Sequence, residues 1–277
     1  MSGALTPDQT ARFRSDGAVF PVAVFGEDEI AGRYRALTAL EQARAGRLPP
    51  LLNFKPYLLV PWLWEMIHDP RILDPVEDLV GEDILCWEAS FFSKEPGDGA
   101  FVTWHQDATY WGLSENIGVT AWIAFTPSTR ESGCMRIVGG SHAQALAHRT
   151  AQGRANMLPL REEVADAIDE DKAIDVVLKP GEMSLHHPMV IHGSAPNASA
   201  ARRVGFAIRY ISAAVRQRGE ERGSAVLVRG RDHGHFDLEQ PPEAELGTAA
   251  RLRHTALLRQ WMKIVAAETP QAVREQD

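Results

Sequence analysis

The sequence predicts a mainly β protein with flanking helices, and three observations lead to this prediction. Helix-start signals and helical periodicity dominate about residues 1–82 of the 277. Short apolar segments separated by turn residues follow from about 83 to 213, as is typical of an antiparallel sandwich or barrel. A helical apolar pattern returns at about 243–267. Because no repeat or low-complexity linker divides these parts, we expect a single domain spanning residues 1–277.

The N-terminal part begins with a strong helix-start signal. Thr6 is a good N-cap, Pro7 suits the first helical position, and Gln9 completes a capping box. This helix should end near Gly17, and the segment 18–25 then predicts a short strand interrupted by a proline. Further helices are predicted at Glu27 to about Ala45, closed by Pro49-Pro50, and at 62–67 and 72–80.

The period changes at about Asp83, where alternating and apolar segments of strand length begin. The predicted strands are 84–94, 119–127, 134–138, 173–179, 182–187, 189–193 and 202–212. The C-terminal helix should bury one side, made of Leu246, Ala250, Leu257, Leu258, Trp261 and Ile264.

Composition and charge exclude several classes of protein. The net charge of 29 − 37 = −8, without a lysine-rich tract, argues against a general nucleic-acid binder. The N-terminus lacks the pattern of a signal peptide, and no apolar run reaches the length of a membrane span. We therefore expect a soluble, cytoplasmic protein with no nucleic-acid or membrane partner. Cys86 and Cys134 are expected to be reduced thiols, and nothing in the sequence indicates an oligomeric state.

Two short stretches carry residues suited to metal chemistry. In TWHQDATYW, His105 and Asp107 are separated by one residue, so an extended strand places both side chains on one face. The later stretch HHPMVIHGSAPNASAARR holds three further histidines, His186, His187 and His192. Two imidazoles and one carboxylate are the ligand set of a facial Fe(II) site, which leaves coordination positions open for co-substrate and oxygen. These residues alone do not decide which later histidine completes the set.

The motifs in their order resemble the phytanoyl-CoA dioxygenase family of Fe(II)/2-oxoglutarate-dependent oxygenases. They are WHQD at 104–107, AW at 121–122, SGCMR at 132–136, GGSH at 139–142, and H-x4-H-G-S-x2-N-x-S-x3-R at 187–203. The resemblance extends from the opening helix to Arg209 and implies a double-stranded β-helix core, of the jelly-roll or cupin-like kind, with helices at both ends.

The resemblance also implies roles for individual residues. His105, Asp107 and His192 would be the iron ligands. Arg203, eleven residues after His192, would grip the distal carboxylate of 2-oxoglutarate, a group that a guanidinium can bind through two hydrogen bonds. Two more residues would contribute to this co-substrate pocket, Ser194 by its hydroxyl group and Trp122 as a wall. His187 matches a family histidine that lies near the site without binding metal, and His186 is expected on the other face of its strand.

Several neighbours are candidates for the substrate pocket, each with a plainer alternative. These candidates are Gln106, Tyr110, Trp111, His187, Arg209, Ser93 and Lys94. Gln106 has a hydrogen bond within the sheet as its alternative, and the two aromatics have core packing. Arg209 is an even number of residues after Arg203 and so shares its face. Lys94 is more simply placed on the surface. The remaining histidines, His68, His148, His233, His235 and His254, are also expected there.

The implied reaction is hydroxylation of an unactivated C–H bond of a small-molecule metabolite, coupled to decarboxylation of 2-oxoglutarate to succinate and CO2. Related halogenases have a small residue in place of Asp107, so its carboxylate favours hydroxylation over halogenation. The same cofactors would also support desaturation, epoxidation or cyclisation. An alternative of another class is a non-catalytic module that binds or senses metal and 2-oxoglutarate. The sequence shows no basic cluster for the phosphates of coenzyme A, which favours a small free metabolite.

Overall fold

The first helix begins at the predicted capping box. In the computed structural model, which describes residues 3–43, 50–151 and 155–268, the Gln9 backbone N–H donates to Thr6 Oγ1 at 3.2 Å. The Thr6 N–H donates in return to Gln9 Oε1 at 2.9 Å. Gly17 ends the helix with φ of 79°, a left-handed conformation that glycine adopts without steric cost.

Within the described residues, five α-helices precede or follow the β core in sequence. They are α1 (Pro7–Asp16), α2 (Glu27–Gln42), α3 (Pro61–Ile67), α4 (Pro70–Val80) and α5 (Thr248–Glu268). The predicted extension of α2 to Ala45 and its closure at Pro49 lie outside the described residues. Among the helices described, none combines the length and the apolar character needed to span a bilayer. The cytoplasmic location expected from the sequence stays a prediction.

Helix α5 packs on the core through only part of the side that the sequence predicts to be buried. It begins at Thr248, five residues after the predicted start, and buries Ala250 and Ile264. His254, predicted on the surface, is buried, and its Nε2 lies 2.7 Å from the carbonyl oxygen of Phe54. The prediction was wrong because a single histidine on a mixed helix gives no sign of the carbonyl that satisfies it.

Thirteen strands form the described β structure. They are β1 (Ala18–Ala23), β2 (Ile84–Lys94), β3 (Val102–His105), β4 (Gly118–Ala124), β5 (Met135–Val138), β6 (His148–Thr150), β7 (Glu162–Val164), β8 (Ala173–Val176), β9 (Glu182–His186), β10 (Ile191–Ser194), β11 (Arg203–Ser212), β12 (Ser224–Arg229) and β13 (Asp237–Leu238). Seven strands form a large sheet in the order β1-β9-β4-β11-β2-β12-β13, four form a smaller sheet in the order β3-β10-β5-β8, and β6 pairs with β7. Strands β1 and β12 lie outside the range 83–213 predicted for the β core.

The large sheet has one face for packing and one for polar groups, and β11 shows why. Val204, Phe206, Ile208 and Tyr210 belong to the main hydrophobic cluster, which also holds residues of helices α1 to α4. The alternate residues Arg203, Ala207 and Arg209 point the other way and line an internal chamber. Strand alternation thus places the apolar residues toward the helices and the polar ones inside.

The inner face of the large sheet lies against the smaller sheet. Trp122 and Ala207 of the large sheet share a hydrophobic cluster with Met135, Ile137 and Val176 of the smaller one. Two antiparallel sheets with their inner faces together are the double-stranded β-helix that the resemblance implied. The prediction that the chain forms a single domain stays a prediction. Cys86 and Cys134 are buried free thiols.

Candidate active site

The three predicted metal ligands converge at the end of the smaller sheet. His105 on β3 and His192 on β10 are direct register partners, with ring centroids 4.1 Å apart. Strand β3 ends at His105, and Asp107 begins a short 3-10 helix at 107–110 rather than continuing the strand. Gln106 between them is still extended, with φ −116° and ψ 117°. The convergence predicted from a regular strand is therefore reached through one extended residue and a turn of helix.

The ligand atoms are close enough to share one cation. His105 Nε2 lies 3.3 Å and His192 Nε2 lies 4.0 Å from Asp107 Oδ1. Across the described residues, these three side chains make up the group whose ligand atoms all lie within 4.8 Å of one another, and all three are buried. Two imidazole nitrogens and one carboxylate oxygen on one side leave the other side open.

Each ligand is oriented by a second contact. His105 Nδ1 lies 2.9 Å from the carbonyl oxygen of Thr103, and His192 Nδ1 lies 3.0 Å from that of Val190. A carbonyl can only accept, so both Nδ1 atoms carry a proton, and each Nε2 presents a lone pair when its ring is neutral. When the His105 ring is charged, its Nε2 carries a second proton and can donate it to Asp107. The Thr120 hydroxyl donates to Asp107 Oδ2 at 3.2 Å. These contacts fix the tautomers and the carboxylate orientation that a metal requires.

The electrostatics of the group favour a cation. Burial would raise the pKa of Asp107, but the charge of Arg209 and the hydrogen bond from His105 outweigh it and hold the pKa well below its usual value. Burial, followed by the charge of His105, lowers the pKa of His192 far below its usual value. Burial also acts to lower the pKa of His105, but the hydrogen bond to Asp107 raises it overall. Without metal, His105 and Asp107 thus form a hydrogen-bonded pair. A metal ion bound to both would take the place of the proton between them.

Arg203 is a buried cation in the same chamber. Its Nε donates to Ser128 Oγ at 3.2 Å, and its guanidinium carbon lies 4.6 Å from the centre of the Trp122 ring. No carboxylate within the described ranges forms an ion pair with it, and burial lowers its pKa to about 10. A buried guanidinium without an acidic partner is costly unless an anionic ligand joins it.

Trp122 reaches this position because its neighbour on β11 has no side chain. A Cβ at Gly205 would lie 1.8 Å from a ring atom of Trp122, so the indole occupies the space that any other residue would fill. The ring then forms a wall of the inner chamber beside Arg203.

Lys94 is fully buried, so the surface position considered for it is wrong. Its Nζ donates to Ser194 Oγ and to the Ala195 carbonyl oxygen, both at 2.6 Å. Burial, followed by the charge of Arg203, lowers its pKa to about 7. The pattern of β2 alone does not reveal this, because the carbonyl groups that accept from Lys94 come from distant parts of the chain.

Two connected cavities meet at the metal ligands. An inner chamber between the sheets is lined by the three ligands together with Thr120, Trp122, Ser194 and Arg203. An outer cleft of about 800 Å³ begins at Asp107 and runs outward, which is a size typical of small-molecule sites. Asp107, Arg209 and Phe92 line both cavities. A ligand in the cleft would therefore lie beside Asp107 and Arg209.

Arg209 forms the polar boundary between the two cavities. It pairs with Glu88, and it donates to Ser90 Oγ at 3.0 Å. Its Nε lies 3.9 Å from Asp107 Oδ2. Burial would lower its pKa, but the charges of Glu88 and Asp107 raise it, so this guanidinium stays charged beside the ligands.

The other pocket candidates divide between the cleft and the scaffold. Trp111 and Ser93 line the cleft; Trp111 packs on Trp87 with ring centroids 4.9 Å apart, and Ser93 Oγ accepts from Arg202 at 2.8 Å. Gln106 is buried, and its amide nitrogen donates to the Gln144 and Met189 carbonyls at 2.8 and 2.7 Å. Gln106 therefore has the scaffold role that was its alternative. The Tyr110 side chain lies outside the described part of the structure.

The adjacent histidines His186 and His187 lie opposite to their expected positions. His186 lines the inner chamber, with its ring centroid 4.9 Å from that of His192. His187 instead contacts Phe13 and His142, and its Nδ1 accepts from the Met189 N–H at 3.1 Å. The expectation that His187 lies beside the site was wrong, because β9 ends at His186 and the chain then turns toward α1.

Comparisons with known proteins agree with this geometry. A family model described as phytanoyl-CoA dioxygenase (PhyH) matches residues 13–205. A solved structure described as the non-heme monooxygenase ThoJ, apo, is 34% identical with a TM-score of 0.83, over 94% of this chain and 98% of that one. CytC3 with Fe(II) and alpha-ketoglutarate is 27% identical with a TM-score of 0.65, over 89% and 96%.

The match to curated relatives is shorter. Phytanoyl-CoA dioxygenase domain-containing protein 1 of Danio rerio is 30% identical over 148 residues, which are 52% of this chain and 50% of that protein. The chain thus spans about half the length of the curated relatives it matches.

Proposed function

The chain belongs to the phytanoyl-CoA dioxygenase family of Fe(II)/2-oxoglutarate-dependent oxygenases, and we propose that it hydroxylates an unactivated C–H bond of a small-molecule metabolite. The observation that carries the proposal is the intact group of His105, Asp107 and His192 beside the unpaired, buried Arg203. A site for a metal ion alone would not require a buried cation without an acidic partner.

The residues present fit both groups that the family uses. His105, Asp107 and His192 would hold Fe(II), and their donor set is that of a facial triad. Arg203, with the Ser194 hydroxyl, would hold the distal carboxylate of 2-oxoglutarate. Trp122 and Gly205 would bound the co-substrate on one side. When bound, iron and 2-oxoglutarate supply oxygen activation, with release of succinate and CO2.

The chain contributes orientation and exclusion of water. Thr103 and Val190 hold the imidazoles through their carbonyls, and Thr120 holds the carboxylate. The two sheets bury the inner chamber, so the co-substrate would react away from bulk solvent. The outer cleft would place the substrate carbon near the open side of the triad, which is the positioning role that proteins supply to cofactor chemistry.

Two features support the finer assignment. The carboxylate of Asp107 occupies a ligand position that related halogenases leave to a small residue, which favours hydroxylation. The guanidinium groups that line the described cleft, Arg202 and Arg209, are already paired with Glu41 and Glu88. A cleft without an unpaired cation is a poor site for the phosphates of coenzyme A, which favours a small free metabolite over a thioester. Desaturation, epoxidation and cyclisation are the alternative outcomes with the same cofactors.

The proposal is tested by anaerobic titration of the protein with Fe(II) and 2-oxoglutarate. We expect a weak visible charge-transfer band that requires both, and succinate release once oxygen and a substrate are supplied. A substrate panel followed by mass spectrometry would then show whether one oxygen atom is added. If the protein binds neither group, the oxygenase assignment is lost. A band without succinate release from any substrate would favour the sensing module.

A further inference from the structure

The outer cleft contains a carboxylate that the proposed reaction does not use. Glu162, the first residue of β7, lines the cleft, and its buried Oε2 has no hydrogen-bond partner among the described residues. Burial raises the pKa of this carboxyl group. Its backbone is held in place, since the Thr103 hydroxyl donates to the Glu162 carbonyl oxygen at 2.6 Å. A buried carboxylate oxygen with no partner is costly, and a donor supplied by a ligand would remove that cost.

The other carboxylates along the described cleft already have partners. Glu88 pairs with Arg209, and Glu95 Oε1 lies 2.6 Å from Arg202 Nε. Asp98 accepts backbone N–H groups from Glu95 and Ala100, each at 2.8 Å, and Asp107 belongs to the metal group. Among these carboxylates, Glu162 differs in having one buried oxygen, Oε2, that receives no hydrogen bond from the residues that the structure describes.

Aromatic side chains provide the apolar part of the cleft. Trp87 and Trp111 pack together with centroids 4.9 Å apart, and Phe54 and Trp261 form a second pair at 5.1 Å. All four line the cleft. Aromatic faces attract cations as well as apolar groups, and cages of this kind bind substituted ammonium ions.

From these observations we propose that the cleft binds a substrate carrying a positively charged nitrogen, which pairs with Glu162 while its apolar part packs on the aromatic walls. This inference rests on the proposed function, because it names the substrate class of that same site. It distinguishes amines and cationic heterocycles from carboxylic acids, phosphates and neutral alcohols of equal size.

The test uses three indoles of similar size, tryptamine, tryptophol and indole-3-propionate, which are cationic, neutral and anionic. Each is titrated by calorimetry into the full-length protein loaded anaerobically with Fe(II) and 2-oxoglutarate. We expect tryptamine to bind at least about tenfold more tightly than the other two, as one charge-assisted hydrogen bond would provide. Glu162→Gln should remove most of that preference and leave the affinity for tryptophol unchanged.

Glu163→Gln is the matched control. Glu163 follows Glu162 in sequence, and its own carboxylate pairs with the exposed Arg149 at 3.0 Å. This variant should leave the preference for tryptamine intact. Equal binding of the three indoles, binding of none, or a preference that survives Glu162→Gln overturns the inference. The charge-transfer band without any indole reports separately on the proposed function, so a band with no amine preference overturns this inference alone.

Discussion

Lys94 and Arg203 are direct cross-strand partners at the ends of β2 and β11. Both are buried, and within the described ranges no carboxylate pairs with either. Like charges directly opposite each other in a sheet are destabilising. Such a pair is explained if a dianion completes the site, as 2-oxoglutarate would.

Replacement of Lys94 should weaken 2-oxoglutarate binding although Lys94 does not line the chamber. In Lys94→Met, the Ser194 hydroxyl loses the amine that donates to it at 2.6 Å. The site also loses the positive charge of Lys94 beside that of Arg203. We expect the Kd for 2-oxoglutarate, measured by anaerobic titration with Fe(II), to rise by about tenfold or more. Lys55→Met is the control, because this buried lysine pairs with Glu239 far along the chain and should affect stability without affecting that Kd.

Binding of 2-oxoglutarate should take up a proton through Lys94. The pKa of Lys94 is about 7, so the amine is largely neutral at pH 8. A carboxylate placed beside it favours the charged form and raises that pKa, so a proton binds together with the ligand. Affinity should therefore fall as pH rises above 7. Calorimetry in buffers of different ionisation enthalpy measures the uptake, and an unchanged signal in Lys94→Met would contradict this assignment.

The neighbouring arginines should differ sharply in their effects. Arg203→Lys keeps the charge but loses the planar fork, and we expect the Kd for 2-oxoglutarate to rise roughly 10- to 100-fold. Arg202→Lys removes a pairing with Glu41 on the other side of the strand and should leave that Kd nearly unchanged. Similar losses in the two variants would mean that Arg203 has no special role.

Removal of one proposed ligand should abolish iron binding without unfolding the protein. His105→Ala is expected to weaken Fe(II) binding by more than the roughly 10- to 100-fold typical of changes behind the ligands, and to abolish succinate formation. His187→Ala removes a histidine that contacts Phe13 and should leave metal affinity intact. Metal titration monitored by calorimetry, with thermal unfolding of the metal-free proteins, separates the two effects. Normal iron binding by His105→Ala would refute the ligand assignment.

A methyl group at Gly205 should displace Trp122 from the chamber wall. Its Cβ would lie 1.8 Å from the indole, so Gly205→Ala forces a shift that we expect to cost about 1–3 kcal/mol of unfolding free energy. The Kd for 2-oxoglutarate should rise as well. Gly32→Ala in α2 meets no atom closer than 3.7 Å and should stabilise the protein by about 0.5–1 kcal/mol. Urea unfolding of both variants provides the comparison.

Local signals in the sequence predicted the elements that depend on neighbouring residues. The Thr6 capping box, the end of α4 at Val80 and the whole of β2 agree with the structure. The grouping of His105, Asp107 and His192 was also accessible, because the motif order indicates which distant strands meet. The alternation of large apolar residues with small or charged ones along β11 likewise indicated which face of this strand lines the chamber.

The errors concern contacts that form between distant parts of the chain. His186 and His187 are adjacent, and which one faces inward depends on where β9 ends against Thr120 of β4. The Lys94 amine donates to the carbonyls of Ser194 and Gly133, which are 100 and 39 residues away in sequence. Glu162 was missed for the same reason, since its neighbours in the cleft come from β2 and the C-terminal helix. Short-range periodicity contains none of these distances.

The alternation along β11 also separates two kinds of evolutionary constraint. Substitutions at Phe206 or Ile208 would disturb the cluster shared with the helices and so act on folding. A substitution at Ala207, between them, changes the volume of the inner chamber while the helix-facing side stays the same. A change at Ala207 therefore acts on the chamber and on the packing between the sheets, and leaves the helix-facing side of β11 as it is.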